Sequence, residues 1–387
     1  MLSVNYCGLE LKNPVIVASA TPTINVQAMR RAAASGAGAL VTKSVMYPDA
    51  DGRPNGANPR PKFQLFNTPT GYDPALTEKG GMFSFFRIEE PYPTPDMMEE
   101  MLKELKGPNG IDIPIIVSIC GFTGDYDSWR TLARRMEDAG ADALELNGHM
   151  WNPYSKYTDP MVAAVVRDEV KIPVIFKMMG VTEDPTEVAP KLEAAGVDGI
   201  AGLGTFGLDG IEIDTDAEKP WFSETTGLGG PWLRPVSLAS VSRIAKATRN
   251  VDISGVTGIQ CAEDAIKYIL MGAKTVQVCG AIYARGYKVM QEIADGIEKW
   301  MEVHGYQSIE EFCGKALPYL TMESPEDPPV RAYVTEACKG CKMCLESCMF
   351  GALQFQDGKA FVDEKCDGCG VCWSMCKYRA IEMRNYE

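Results

Sequence analysis

The chain is poor in histidine, with only His149 and His304 among its 387 residues. It has no apolar run near about 18 residues, so no segment is expected to cross a bilayer as a helix. Its start, Met1-Leu-Ser-Val-Asn-Tyr-Cys, lacks a basic stretch followed by an apolar one, so no secretory signal is expected. Positive charge is also short. The net charge of −14 disfavours nucleic acid and anionic membranes as partners, though it leaves room for a local basic groove. No G-x-G-x-x-G after a strand is expected to build a dinucleotide domain, so the chain is not expected to take electrons from NAD(P)H unaided. What remains is 45% hydrophobic and 23% charged, ample for one large core and a small appendage.

Cysteine is the exception, with 13 in the chain. Eight fall in two runs, Cys338-Lys-Gly-Cys341-Lys-Met-Cys344-Leu-Glu-Ser-Cys348 and Cys366-Asp-Gly-Cys369-Gly-Val-Cys372-Trp-Ser-Met-Cys376. Each is C-x2-C-x2-C-x3-C. As in bacterial-type ferredoxins, the first three cysteines of such a run hold one [4Fe–4S] cluster and the fourth reaches across to the other. Cys338, Cys341, Cys344 and Cys376 are then one ligand set, and Cys366, Cys369, Cys372 and Cys348 the second. A pair of zinc sites is the alternative, but zinc has no use for a third and fourth cysteine at this spacing. Met349 and Lys377 stand where such runs usually carry proline, which alters the turn and not the ligand count. Cys7, Cys120, Cys261, Cys279 and Cys313 are odd in number and scattered, as in a reducing cytoplasm rather than a disulfide framework. Two neighbouring clusters form an electron wire, so electrons must enter or leave chemistry elsewhere in the chain.

Ahead of the cysteines, one theme repeats. The runs Pro14–Ala18, Ala39–Lys43, Ile115–Ile119, Ala143–Asn147, Pro173–Lys177, Gly199–Leu203, Asp252–Val256 and Thr275–Cys279 are continuously apolar or β-branched, as parallel strands buried on both faces are. Helical sequence separates them, and several helices end in glycine before the next strand, as at Gly36, Gly140, Gly196 and Gly272. Eight such units predict a (β/α)8 TIM barrel, with a doubly wound sheet as the alternative. The expected domains are a barrel over 1–315, a proline-rich linker over 316–332 and a small ferredoxin-like domain over 333–387. The long Pro-, Gly- and Asn-rich stretch from Met46 to about Pro95 is expected to be a structureless loop over the barrel mouth.

Polar residues at strand C-terminal ends mark a barrel's active site. Here they are Ser19, Lys43, Asn147, Lys177 and Thr205, with Gly255 and Gly258. Two lysines closing apolar strands place ammonium groups in the mouth, where a reduced flavin would carry negative charge. Pairing with a nearby carboxylate is the bland alternative. Ser254-Gly-Val-Thr-Gly258 and Cys279-Gly280-Ala281 follow strands seven and eight, where barrels commonly bind phosphate. His149 falls just past strand four and suits proton transfer. His304 is expected only to favour a helix C-terminus.

These segments resemble the flavin and ferredoxin half of dihydropyrimidine dehydrogenases, and the barrel resembles class 1 dihydroorotate dehydrogenases. The matching stretches include Asn13-Pro14 with Ala18-Ser19, Val41-Thr-Lys43, Leu144-Glu-Leu-Asn147, Phe176-Lys177, Leu233-Arg-Pro235, Gly258-Ile259 and Val276 to Ile282. The resemblance implies FMN, with Lys43, Asn147 and Lys177 at its ring and the backbone of Gly258, Gly280 and Ala281 at its phosphate. Where that family carries Leu-Ser-Cys-Pro after the strand-four asparagine, this chain has Gly148-His149-Met150-Trp151. Met150 replaces the proton-transferring cysteine and cannot move a proton. The pyrimidine-binding Asn-Ile-Glu corresponds to Arg87-Ile88-Glu89, and Asn-Thr to Gly204-Thr205, so uracil is not the expected substrate. Arg87 offers a planar fork for a carboxylate. Arg87, Glu89, Asn147, His149 and Thr205 are the expected substrate contacts, and His149, Tyr157 and Lys43 the expected reacting groups.

The combined expectation is a cytoplasmic oxidoreductase acting on a carbon–carbon bond beside a carbonyl. Its electron donor would be an NAD(P)H-oxidising flavoprotein subunit or a ferredoxin, in a homodimer or hetero-oligomer. An electron-transfer subunit with an altered barrel is the rival, motivated by the missing cysteine. A tRNA-modifying barrel is disfavoured by the acidic charge.

Overall fold

A computed structural model describes residues 2–52, 54, 63–68, 72–76, 81–87, 91–147, 158–179, 183–204, 208–222, 226–320 and 330–385. The chain divides into two compact units, Met1–Leu317 and Pro318–Glu387.

In the first unit the eight apolar runs pair in parallel. They are β1 (Val15–Val17), β2 (Ala39–Val41), β3 (Ile115–Cys120), β4 (Ala143–Asn147), β5 (Val174–Met179), β6 (Gly199–Gly204), β7 (Asp252–Val256) and β8 (Thr275–Val278). Each pairs with its successor, and β8 returns to β1 with Gln277 opposite Ile16, closing the barrel. Every residue of β1, β2, β3, β4, β6 and β8 is buried, which is why these strands read as unbroken apolar runs.

Helices Val26–Ala34, Pro95–Leu105, Tyr126–Asp138, Pro160–Glu169, Pro185–Ala194, Arg234–Ala247 and Ala262–Leu270 fill the seven crossovers. Asn25, Thr94, Asp125, Asp159 and Asp184 start five of them, each side chain accepting a backbone N–H of the first turn. Gly36, Gly140, Gly196 and Gly272 follow helix ends at φ of +87°, +99°, +85° and +98°, the left-handed stop expected from the sequence. His304 ends helix Val289–His304, with its Nδ1 2.8 Å from the Trp300 carbonyl.

An antiparallel hairpin, Val4–Tyr6 with Leu9–Leu11, seals the end where the strands begin. The Cys7 backbone N–H donates to Asp252 Oδ2 at 2.7 Å, and Asp252 Oδ1 pairs with Lys274 at 2.7 Å. A Cβ on Gly199 would lie 2.5 Å from Cys7 Sγ, so the hairpin reaches this depth because β6 begins with glycine.

The Met46–Pro95 stretch corrects one expectation, because it contains strands. Phe63–Phe66 pairs with Ser84–Arg87, and Thr226–Gly229 and Asp209–Gly210 from the β6–β7 crossover extend the pair into a four-stranded antiparallel sheet. Both insertions leave from strand C-terminal ends, so this sheet belongs to the mouth. Phe85 sits against Gly280, where an added Cβ would lie 3.0 Å from its ring.

The second unit contains two antiparallel pairings, Val330–Val334 with the distant Ile381–Asn385, and the hairpin Leu353–Gln356 with Lys359–Val362. Short helices Met343–Glu346 and Val371–Met375 each carry the third cysteine of their run, Cys344 and Cys372, in the first turn. Its core is small: Ala332, Leu353, Ala360, Cys372 and Ile381, with other cysteines packed against them.

Candidate active site and cluster cavities

Side chains two apart on a strand share a face, so Glu145 and Asn147 point the same way from β4. Lys177 on β5 lies in register with Asn147. Lys177 Nζ donates to Glu145 Oε1 at 3.1 Å and to Gln277 Oε1 at 3.2 Å, and Gln277 Nε2 donates to Glu145 Oε2 at 2.6 Å. All three are buried, and Glu145 is wholly so. The carboxylate pairing foreseen as the bland role of a strand-end lysine is therefore present. Within these contacts it uses two of the three ammonium hydrogens. Asn147 Nδ2 donates to Ser44 Oγ at 2.9 Å, and Ser44 Oγ stands 2.9 Å from Ser118 Oγ. Lys43, 3% exposed, holds its Nζ 4.2 Å over the Tyr92 ring. Glu145, Gln277, Ser44 and Ser118 were not foreseen. The two-residue alternation of Glu145 with Asn147 was the signal for the first.

On the other side of the mouth, β7 ends at Val256 and the chain turns through Thr257 (φ +81°) and Gly258 (φ +75°). A Cβ on Gly258 would lie 2.9 Å from the Arg234 backbone nitrogen, and one on Gly255 would lie 2.5 Å from the Tyr268 ring. Arg234 pairs with Asp264 at 2.7 Å, whose other oxygen accepts the Gln260 N–H at 3.0 Å. Cys279, Gly280 and Ala281 lead from β8 into helix Gly280–Arg285. Ala18 and Ser19 follow β1, with the Ala18 N–H donating to Val278 O at 3.0 Å. The barrel therefore gathers Ala18, Ser19, Lys43, Asn147, Lys177, Gly255, Gly258, Cys279, Gly280 and Ala281 at one end. Glu89, His149, Tyr157 and Thr205 lie outside the described residues. Arg87 is placed by its backbone, opposite Gly227 and Phe63 in the mouth sheet.

Gly202-Leu-Gly-Thr-Phe-Gly207 spells G-x-G-x-x-G, but its first two glycines lie inside β6 rather than after it. It leaves β6 toward the mouth sheet, and the next helix among the described residues is Arg234–Ala247. Among the described residues no helix opens directly after this pattern, as one does in a dinucleotide-binding loop.

The cysteines surround two cavities. Cys338, Cys341, Cys344 and Cys376 line one of about 450 Å³ of empty space, and Cys348, Cys366, Cys369 and Cys372 line another of about 300 Å³. These are the two ligand sets expected from the crossed spacing. Gly340 and Lys342 in the first loop and Gly368 and Gly370 in the second all have positive φ. Backbone N–H groups already face two sulfurs, Ala352 to Cys348 and Ala380 to Cys376, each at 3.3 Å. Burial pushes the Cys344 and Cys372 thiols up, and the neighbouring cysteines add to it. Among the described residues no group of three or more His, Cys, Asp or Glu is arranged to hold a single metal ion. Four thiols around a void suit a cubane cluster better than one tetrahedral zinc ion.

A closed barrel with cationic and amide groups at its strand ends, joined to this cysteine unit, defines an iron–sulfur flavoprotein oxidoreductase. Residues 1–301 match the dihydroorotate dehydrogenase family and residues 360–382 the 4Fe-4S binding domain, and the chain belongs to the dihydroorotate dehydrogenase family. It is 32% identical over 329 residues to the dihydroorotate dehydrogenase B (NAD(+)) catalytic subunit of Pyrococcus abyssi, covering 82% of this chain and 99% of that one. It is 28% identical over 378 residues to the NAD-dependent dihydropyrimidine dehydrogenase subunit PreA of Escherichia coli K12, covering 91% and 86%. The dihydroorotate dehydrogenase of Eimeria tenella, crystallised with ferulenol, shares the fold with a TM-score of 0.65 at 19% identity, over 81% of this chain and 88% of that one.

The cofactors are FMN and [4Fe–4S] clusters, and the residues fit both. Lys43, Asn147 and Lys177 bring ammonium and amide groups to the strand ends, and Gly255, Gly258 and Gly280 let the β7 and β8 loops pack closely on Tyr268, Arg234 and Phe85 beside them. Each cavity has its four thiols. Among the described residues no helix is long and apolar enough to cross a membrane.

Proposed function

We propose that the chain reduces, or in reverse oxidises, a carbon–carbon bond next to a carbonyl in a small cyclic or carboxylate-bearing molecule. When bound, FMN supplies hydride chemistry and the clusters supply single electrons. The observation that carries this reading is the buried Lys177–Glu145–Gln277 cluster beside Asn147 and Lys43. Glu145 and Gln277 hold the Lys177 ammonium in place, and with Lys43 and Asn147 it sets cationic and amide groups at the strand ends, where a reduced flavin ring and a substrate carbonyl would be stabilised. The mouth glycines and Ala281 suit the phosphate. The relatives' names place their activity on dihydroorotate or dihydropyrimidines. The substrate proposed here differs from theirs, because the sequence carries Arg87, a residue type suited to a carboxylate, and Gly204-Thr205 where the resemblance leads one to expect asparagines.

His149 is assigned the general acid, because Met150 cannot transfer a proton and an imidazole matches neutral pH better than Tyr157. His149→Asn, with flavin and clusters intact, is expected to lower turnover by about 10²-fold or more. Near-normal turnover with an unchanged pH profile would move the role to Tyr157. To find the substrate, the enzyme is reduced with dithionite without oxygen and offered enones, cyclic amides and unsaturated carboxylates, with products read by mass spectrometry. Reoxidation by none of them would favour an electron-transfer role for the barrel. The electron donor is assigned to a separate flavoprotein subunit or ferredoxin. Robust NADH oxidation by the purified chain would refute that.

A further inference from the structure

The two cysteine loops are twins in sequence spacing and in backbone, yet their charges differ at four equivalent positions, one of them Glu346 opposite Ser374, away from the cavity lining, and the other three beside the ligand cysteines. Lys339 follows Cys338 where Asp367 follows Cys366. Lys342 follows Cys341 where Gly370 follows Cys369. Lys377 follows Cys376, the fourth ligand of the first set, where Met349 follows Cys348. Lys339, Lys342 and Lys377 all line the cavity of the first set, whereas Asp367 lines the cavity of the second. In a chain of net charge −14, the first cavity carries three lysines against one aspartate at the second.

The backbone marks the asymmetry too. Lys342 adopts φ +63°, a left-handed conformation that suits glycine and that its twin Gly370 occupies at φ +78°. A lysine stands here against the local preference. Its Nζ lies 4.4 Å over the Phe355 ring, and Lys377 Nζ lies 5.1 Å over Tyr378. All three lysines are exposed, as are Cys341, Met343 and Tyr378 around the same cavity. A basic rim around a small apolar centre is the form of a transient docking site that steers an acidic partner.

We propose that the cavity of Cys338, Cys341, Cys344 and Cys376 is the port at which an acidic one-electron carrier protein docks. This rests on the reading above that two clusters feed the flavin. One electron passes from the reduced carrier to the oxidised cluster, leaving the carrier oxidised. The Debye length near 8 Å at physiological salt makes the local lysines, rather than the distant net charge, what a docked carrier feels. The lysines also stabilise the reduced, more negative form of this cluster, so it has the higher reduction potential of the two.

The test uses the full-length, cluster-loaded chain with no substrate added, so that failure to find a substrate leaves it intact. The variant Lys339→Asp, Lys342→Gly, Lys377→Met carries the twin's residues. Cluster reduction is followed by stopped-flow absorbance, with a reduced acidic [2Fe–2S] ferredoxin as donor and methyl viologen radical, a small cation, as control. At low salt the ferredoxin rate is expected to fall by about 10-fold or more, with loss of its salt dependence, while the viologen rate does not fall. In a redox titration followed by electron paramagnetic resonance, the higher-potential step is expected to move toward the lower one. If the triple variant loses its clusters, Lys342→Gly alone, which relaxes the backbone, carries the same expectations in smaller measure. An unchanged ferredoxin rate, or an equal fall with both donors, overturns the proposal.

Discussion

Glu145 shows what a barrel of this kind requires of a single side chain. A wholly buried carboxylate is tolerable only when both oxygens are satisfied, and here Lys177 and Gln277 do so. In Glu145→Gln the Lys177 ammonium stays buried without its counter-charge. The expected cost is about 3–5 kcal/mol in denaturant unfolding. The double variant Glu145→Gln, Lys177→Met removes both charges and is expected to recover part of that loss, the mark of direct coupling. Additive losses would show that the pair is not a unit. Gly258 makes a second residue-scale case. Gly258→Ala meets both a φ of +75° and the Arg234 backbone, so a loss of about 1–3 kcal/mol is expected. Retention of FMN through gel filtration is expected to weaken in the same variant, since the turn it distorts is assigned to the phosphate.

Among the elements, the barrel floor holds the groups that answer to pH. The N-terminal hairpin brings Cys7 to Asp252, and the segment after the last long helix returns to helix Ala262–Leu270, with the Gly314 N–H donating to Ile269 O at 2.9 Å. Cys313 lies on that return. Burial pushes its thiol up to about 11. Burial, then Asp252, also raises Cys7. These thiols hold their protons longer folded than unfolded. Their contribution is fully present below about pH 8.5 and is lost as pH rises through the folded value. For Cys313 the loss by pH 10 is about 2 kcal/mol. Urea unfolding at pH 8 and pH 10 is expected to show stability falling, and Cys313→Ala to flatten that fall by about the same amount. An equal slope in the variant would contradict the assignment. The eight strands could be read almost residue for residue, because parallel strands buried on both faces leave unbroken apolar runs. The mouth sheet could not. Phe63-Gln-Leu-Phe66 is half-buried among prolines, and part of its sheet, Thr226–Gly229, lies far along the chain. The site was legible in part for the same reason. Strand-end lysines and asparagine stand out locally, whereas Gln277 reaches Glu145 across 132 residues only when the barrel closes.

For the whole molecule, the two units differ in what holds them. The barrel's core draws on residues from Val4 to Phe312. Among its described residues the cysteine unit buries seven apolar side chains, four of them alanines and one a cysteine, and five further cysteines pack against that small core. Below roughly 70–80 residues a single core rarely supplies more than about 3–5 kcal/mol, and a bound metal usually makes up the difference. The electron wire is therefore also the structural element of its own unit, while the barrel stands on apolar burial. Stripping iron with ferricyanide and a chelator is expected to abolish the visible cluster absorbance and open residues 330–385 to protease. The barrel's thermal transition is expected to stay within about 2 °C, roughly what a change of about 1 kcal/mol would cause at this size. Protection of 330–385 after iron removal would mean that the small core suffices. A barrel transition lowered by about 5 °C or more would mean that the barrel draws stability from the cluster-loaded unit.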